Sequence, residues 1–384
     1  MMESIQLNSI KVSVYRMPID TPVQTSFGLL KDRASVVLQV TDENGDTGLG
    51  EVWCNFPTVG AEHRARLLSE TIAPLALANR WASVAECHRA LTQAVHILAL
   101  QAGEPGPISQ VLAGLNIALW DLVAKREGLP LWQILGGTSN SVSVYASGLN
   151  PTNPESLALT KAAEGHTRFK LKVGFSDDLD IRNIASLRTE LGPLATLMID
   201  ANQAWNVDHA ISMSKRLSKF GLRWLEEPIA VDQPIEAWKL LALQSPIPLA
   251  AGENFRDGDF ARYLEAGVVK VIQPDVAKWG GFTDCLPLGS LAADTSTWLC
   301  PHWLGAGIGL LATLHLKAAI GGPGFAEIDA NPNPLRELLA GPLPAVRDGA
   351  LTLNNLPGLG AQPNFTDMAG YLVTSSIVHR NSFK

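Results

Sequence analysis

The sequence holds little cysteine and shows no pattern in what it has. Cys54, Cys87, Cys285 and Cys300 are scattered over 384 residues, with no Cys-x-x-Cys pair and no histidine at zinc-finger spacing. A zinc site built on them is therefore not indicated, and four buried free thiols are expected. No signal peptide is indicated either. MMESIQLNSIKV has no basic stretch followed by an apolar core, which predicts a cytoplasmic protein. No apolar run is long enough to span a bilayer: WLGAGIGLLATLHLKAAIGG (303–322) is broken by His315 and Lys317 and reads as a buried helix. Positive charge is in deficit, 30 Lys and Arg against 37 Asp and Glu. The net charge of −7 argues against nucleic acid or an anionic membrane as partner. It leaves room for a small anionic substrate, since a site can oppose the net sign.

What is present is an ordinary globular composition, 46% apolar and 17% charged, with length for two domains or one large barrel with additions. Residues 10–18 and 34–52 read as strands, the second turning at Asn44-Gly45, a hairpin signal. Helical patterns follow at about 61–77, 83–100 and 110–126. Antiparallel strands followed by helices predict an α+β unit. From residue 140 short β-rich runs alternate with helix-sized gaps: VSVYAS (142–147), RFKLKVG (168–174), TLMIDAN (196–202), RWLEEP (223–228), PLAAGE (248–253), VVKVIQPD (268–275), TWLCPH (297–302) and GFAEID (324–329). Eight such units fit a TIM-type barrel with an irregular last turn. A doubly wound sheet is the alternative, and the even spacing favours closure. The tail 350–384, with its hairpin-like LTLNNLPGLG, is too short for a ninth unit and is expected to return to the first domain. The expected organisation is thus an α+β cap (1–130), a (β/α) barrel (131–345) and a returning segment (346–384).

One polar residue closes each of seven strands: Lys172, Asp200, Glu226, Glu253, Asp275, His302 and Glu327, separated by 28, 26, 27, 22, 27 and 25 positions. Each separation is one βα unit, so all seven should stand at the C-terminal mouth, where barrel enzymes do chemistry. A single Asp or Glu after a strand is more often a helix cap. Seven in phase are harder to dismiss. Asp200, Glu226 and Glu253 lie on consecutive strands, and converging carboxylates repel unless a cation neutralises them. Oxygen ligands without Cys or His imply a hard cation, Mg²⁺. Alternation within WLEEP does not choose between Glu226 and Glu227. Lys172 and His302 flank the carboxylates as candidate bases, with Asp275 placed to orient the imidazole. In FKLKVGF, Lys170 and Lys172 share a strand face. Burial and the second ammonium should depress one lysine to about pKa 7–8, a useful range for a general base.

These motifs resemble the enolase superfamily, and within it the mandelate racemase subgroup, over nearly the whole chain. LNIALWDLVAKREGLPLWQILGG (115–137) is similar to the helix leading into the barrel, and FKLKVG, MIDAN, WLEEP, AGEN, QPDVAKWGG, PHWLG and FAEID follow in family order. The resemblance implies a modified barrel under an α+β cap, with Asp200, Glu226 and Glu253 as Mg²⁺ ligands. It implies Lys172 as one base and His302, paired with Asp275, as the opposite one. Glu327 would donate a hydrogen bond to the substrate carboxylate as it gains enolate character. Relatives that lactonize muconate carry a second lysine where this chain has Asp275. Lys278 also matches a family position, without a role assigned.

The implied reaction removes a proton α to a carboxylate and leads to dehydration, epimerisation or racemisation, or cycloisomerisation. Substrate preference should lie in the loops TPVQTSFG (21–28) and NFPTVGAEHR (55–64), where Thr21, Gln24, Thr25, Ser26 and Thr58 suit a hydroxylated acid. The segment 301–336 is similar to the branch acting on sugar acids and their lactones. Thr25 and Asn202 are the expected substrate contacts, and a homo-oligomer is expected. The rivals are a silent barrel that keeps the metal as a binding module, a racemase of a non-sugar carboxylate, and an unrelated Mg²⁺ aldolase.

Overall fold

The structure, a computed structural model, describes residues 4–256 and 258–383. Its first layer is an antiparallel sheet of β1 (Ile5–Gln24), β2 (Leu29–Asp42) and β3 (Thr47–Val52). Alternation places Ile10, Val12 and Val14 of β1 with Val36, Leu38 and Val40 of β2 in one buried cluster. Each such side chain contributes on the order of 1.5–3 kcal/mol by leaving water. At the expected Asn44-Gly45 turn, Asp42 Oδ1 accepts the amides of Asn44 and Asp46 at 2.8 Å each. A two-residue β4 (Arg80–Trp81) pairs with the start of β1. Helix Val84–Ala102 begins at Ser83, whose hydroxyl accepts the Glu86 amide at 3.1 Å. Helix Pro105–Arg126 lies directly on β3, because a Cβ on Gly48 or Gly50 would strike the carbonyl of Ala118 or Gly114. That helix is apolar and long enough to cross a bilayer, but 83% of its apolar window is buried inside this fold. It is a core helix.

All eight expected runs are strands: β5 (Ser141–Leu149), β6 (Arg168–Lys172), β7 (Thr196–Asp200), β8 (Leu225–Glu226), β9 (Leu249–Ala251), β10 (Val271–Ile272), β11 (Trp298–Leu299) and β12 (Ala326–Asp329). They pair in parallel in chain order from β5 to β11, and β12 pairs in parallel with β5. A doubly wound sheet would reverse its strand order partway. Here the order runs round a barrel. Between β11 and β12 there is no ladder among the described residues. The Glu327 amide donates to the Pro301 carbonyl at 3.1 Å, and the Phe325 amide to Cys300 Sγ at 3.3 Å. The apolar stretch near residue 310 forms helix Gly307–Ile320, and the four cysteines are buried and free, both as expected.

The tail follows expectation only in part. β13 (Ala350–Thr352) pairs antiparallel with the start of β5, and Leu351 and Leu353 enter the barrel's core. LTLNNLPGLG is not a hairpin. The Gly358 amide donates to the Leu129 carbonyl, and the Gly358 carbonyl accepts from the Leu131 amide, at 2.9 and 2.8 Å. β14 (Leu372–His379) joins the cap sheet, antiparallel to β1.

Among the polar contacts that join cap to barrel, those of Glu51 and Arg33 are buried on both sides. Glu51 on β3 accepts the amides of Ala306 and Gly309 at 2.8 Å each and the Ser35 hydroxyl at 3.0 Å. A cap residue thus satisfies the N-terminus of barrel helix Gly307–Ile320. Arg33 on β2 donates to Asp329 Oδ2 at 2.6 Å, each side chain 3% exposed.

Candidate active site

Strand register decides which side chains stand together. Lys172, Asp200 and Glu226 are direct partners across β6, β7 and β8, so they form one row along the C-terminal rim. Lys170 lies two residues lower on the same face. The backbone turns sharply past each carboxylate. Asn202 and Gln203 follow Asp200 with φ of +43° and +65°, and Glu227 follows Glu226 with +35°. Such left-handed conformations are costly for residues bearing a Cβ and concentrate at functional sites. Before Glu253, Gly252 has φ +149°, and a Cβ there would sit 2.5 Å from the Gln273 nitrogen. Only glycine lets the end of β9 lie so close to β10.

The structure brings all seven strand-end residues together. Lys172 Nζ lies 2.5 Å from Asp200 Oδ2. Lys170 Nζ lies 2.6 and 2.7 Å from the two oxygens of Glu226 and 3.1 Å from Glu327 Oε1. His302 Nδ1 is 2.8 Å from Asp275 Oδ2, and its Nε2 is 3.0 Å from Glu253 Oε2 and 3.9 Å from Glu327 Oε2. With the Asp275 carboxylate at Nδ1, that nitrogen carries a proton, and Nε2 is the one presented to the site. The two glutamates that alternation left open differ in surroundings. Glu226 meets Lys170, the Trp224 indole and the Gln273 amide inside the barrel. Glu227 is buried elsewhere and accepts from Asn254 Nδ2 at 2.7 Å.

Charge in this cluster is tightly matched. Burial and Asp200 push the Glu226 carboxyl up to about 8, against the pull of Lys170. Burial would also raise Asp200, but Lys172 and Lys170 hold it below its ordinary value. Glu253 is likewise held low by His302 and Lys278 in spite of burial. Burial and Lys170 do pull the Lys172 ammonium down, yet Asp200, Glu253 and Glu226 outweigh them and its pKa is raised. Despite burial, Lys170 and His302 keep the Glu327 carboxyl below its usual range. For His302, burial is overcome by Glu253, Glu327 and Asp275, raising the imidazole to about 9.

The donor set fits a hard divalent cation. Asp200, Glu226 and Glu253 offer oxygen only, and such an ion would relieve both the burial and the Asp200 repulsion that raise Glu226. Among the described residues no three His, Cys, Asp or Glu side chains close on one point. Each of these carboxylates is instead turned onto a cationic side chain, Lys172, Lys170 or His302.

A cavity of about 280 Å³ opens over the row. Lys172, Asn202, Glu253 and His302 line it at the strand ends, and Thr25, Phe27, Trp53, Phe56 and Leu304 line it from the overlying loops. Cap and barrel therefore share it, as the loop reading required. Asn202 also holds Asp200, its amide 2.8 Å from Oδ1. Lys278 lines the cavity too, donating to Asn254 Oδ1 at 2.6 Å and lying 3.7 Å from Glu253 Oε2. Sequence reasoning left Lys278 without a role and passed over Gln273. Gln273 precedes Asp275 by two positions, which was a usable signal for a shared face.

Residues 9–136 match the N-terminal domain of the mandelate racemase / muconate lactonizing enzyme family, and residues 155–368 match the enolase C-terminal domain-like family. The chain is 30% identical to D-galactarolactone cycloisomerase of Agrobacterium fabrum, covering 94% of this chain and 97% of that one. A crystal structure of a mandelate racemase/muconate lactonizing enzyme from Bordetella bronchiseptica superposes with a TM-score of 0.89 at 44% identity, over 96% of this chain and 99% of that one. L-Talarate dehydratase from Polaromonas sp., crystallised with Mg and L-glucarate, superposes with a TM-score of 0.81 at 26% identity, over 98% and 99% of the two chains.

Proposed function

Because the chain belongs to the mandelate racemase / muconate lactonizing enzyme family of the enolase superfamily, we propose that it removes the proton α to the carboxylate of a sugar acid or related hydroxy acid, with Mg²⁺ as cofactor. The observation carrying this reading is that Lys172 and His302 reach one cavity from either side of the row Asp200, Glu226, Glu253. Mg²⁺ held by those three carboxylates would neutralise them and supply positive charge beside the substrate carboxylate, making its α-proton more acidic. With the carboxylates neutralised, burial and Lys170 are the influences left on Lys172, and both lower its pKa toward that of a general base. Lys172 Nζ takes the proton from one face of the α-carbon. His302 Nε2, its ring fixed by Asp275, serves the other face as base or acid. Glu327 positions Lys170 and closes the charge network beneath.

The step after proton removal decides the product. Return of the proton from the opposite face gives epimerisation; loss of a β-oxygen assisted by His302 gives dehydration or a cycloisomerisation. The activities named for the cycloisomerase and dehydratase relatives support the last two. A homo-oligomer is part of the same reading, supported by the exposed Leu372, Val373 and Ile377 of β14.

The test is solvent-deuterium exchange at the α-carbon, followed by NMR with Mg²⁺ across a panel of hydroxy acids. Lys172→Ala should abolish exchange on one face and His302→Asn on the other. Exchange at the parent rate in both variants would refute proton transfer by this pair. Tight ligand binding without exchange in the parent would favour the silent binding barrel.

A further inference from the structure

The layer of helices around the barrel is thin between β12 and β5. The helix that follows β12 runs only from Pro334 to Ala340, and Pro342 and Pro344 keep the chain beyond it from continuing as a helix. A second cavity, of about 480 Å³, opens there, outside the barrel. Its floor includes Ala146 and Ile328, direct partners across β5 and β12. Their strand neighbours Tyr145 and Glu327 point the opposite way, toward Lys170 inside the barrel. Leu310 and Leu314 line the cavity from helix Gly307–Ile320, and Leu343 and Val346 line it from the proline-bearing segment. Ile328, Leu343 and Val346 stay half-buried where a longer helix would cover them.

Charge at this cavity is sorted by depth. Lys161 and Arg336, which line it, have side chains 16% and 12% exposed, whereas their acidic partners Glu164 and Glu337 are 50% and 55% exposed. The cations lie inward and the carboxylates reach into water. A further acid of the lining, Asp329, is buried and committed to Arg33 of the cap. Arg336 Nη1 is fixed on the Asp329 carbonyl at 2.6 Å. His166 also lines the cavity and is 6% exposed. Its Nδ1 is buried without a partner, and Nε2, unbonded as well, is the ring nitrogen with accessible surface. Burial, Lys161 and Arg336 bring the imidazole down to about 4 against the pull of Glu164, so the ring is neutral at pH 7 and can donate from Nε2. Going beyond the proton-abstraction reading and independent of it, we propose that this cavity is a second ligand site, for a monocarboxylate with a short apolar body such as hexanoate. Lys161, Arg336 and His166 receive its carboxylate, and Leu310, Leu314, Ile328 and Val346 take its carbons out of water. Glu164 and Glu337 give way to the arriving anion at little cost, because exposed ion pairs are weak. An amine would meet the inward cations instead, and a polyhydroxy acid would leave its hydroxyls unpaired against leucine side chains. The volume lies within the range of small-molecule sites, roughly 300–1,000 Å³.

Calorimetry on the full chain in EDTA, with hexanoate, acetate and hexylamine, tests the proposal. Hexanoate should bind saturably at a single site. Acetate, which lacks the apolar body, and hexylamine, which reverses the charge, should bind at least about tenfold more weakly. Among the described residues Lys161 bonds only the exposed Glu164, so Lys161→Gln leaves the fold intact. It should weaken hexanoate roughly three- to tenfold. Val346→Phe fills the cavity and should abolish binding, while Lys172→Ala, at the barrel mouth, should leave hexanoate binding unchanged. No saturable binding of hexanoate, acetate or hexylamine binding as tightly, or an unchanged affinity in Lys161→Gln would overturn the proposal. Loss of binding in Lys172→Ala with retention in Val346→Phe would overturn it too, since the ligand would then sit in the mouth. Should Val346→Phe lack a folded thermal transition, Lys161→Gln and Lys172→Ala decide the matter between them.

Discussion

Lys170 is fully buried between Glu226 and Glu327, and its ammonium is their principal counter-charge. Lys170→Met keeps the volume and strands two buried carboxylates. The expected loss is about 3–5 kcal/mol in urea unfolding, and a loss under about 1 kcal/mol would show that the pair contributes no more than a surface contact. The positions of such residues were legible in the sequence because each βα unit delivers one polar side chain to the same rim. Their protonation was not. Lys170 beside Lys172 argued for a lowered lysine, but the balance depends on how near Asp200 and Glu253 stand, and sequence separation carries no such distance. The loop hydroxyls show the same limit: Thr25 lines the cavity as expected, while the Gly28 and Asn202 carbonyls that the Thr25 and Ser26 hydroxyls meet lay out of view.

At the scale of the element, helix Gly307–Ile320 gathers distant parts of the chain. His315 within it accepts the Trp132 amide at Nδ1 (2.9 Å), and its Nε2 faces the Leu359 carbonyl at 3.2 Å. A nitrogen that accepts a buried backbone N–H cannot also take a proton, and burial lowers this imidazole from 6.5 to about 4. As pH falls below 6.5 the unfolded chain binds a proton that the native chain refuses. Stability present above that pH is lost until the native histidine titrates near 4, at most about 3 kcal/mol in all. His315→Gln can keep both hydrogen bonds without titrating. The unfolding free energy of the parent should therefore fall relative to that of the variant from pH 7 to pH 4, and a constant difference would contradict this account. The helix was legible from its apolar run. Its partners were not, and the tail shows why: Asn354 does form a turn, its Oδ1 accepting the Leu356 amide at 3.1 Å, yet the strand-like residues beside it pair with β5 and with Leu129–Leu131. Turn chemistry is local, whereas the choice of partner belongs to the packed whole.

For the whole molecule, cap and barrel should unfold together, because buried polar groups on each are satisfied by the other. Arg33→Met leaves Asp329 buried without its charge partner and should cost about 3–5 kcal/mol, lowering the parent's single thermal transition or dividing it in two. Calorimetry distinguishes these from an unchanged profile, which would mean that the pair does not couple the layers. The order of the eight strands was legible from spacing alone, and the closure of the ring from their number. The way it closes was not. Seven of the eight joints are laddered, and the eighth, between β11 and β12, rests on the Glu327 amide and a thiol contact at Cys300. Mechanically, the barrel is a hoop with one compliant joint, and that joint separates the strand leading to His302 from the strand carrying Glu327. Elastic strain from an arriving ligand will collect there before it spreads elsewhere. The gap between those two side chains is then the dimension of the site that can breathe while the row Lys172, Asp200 and Glu226 stays rigid.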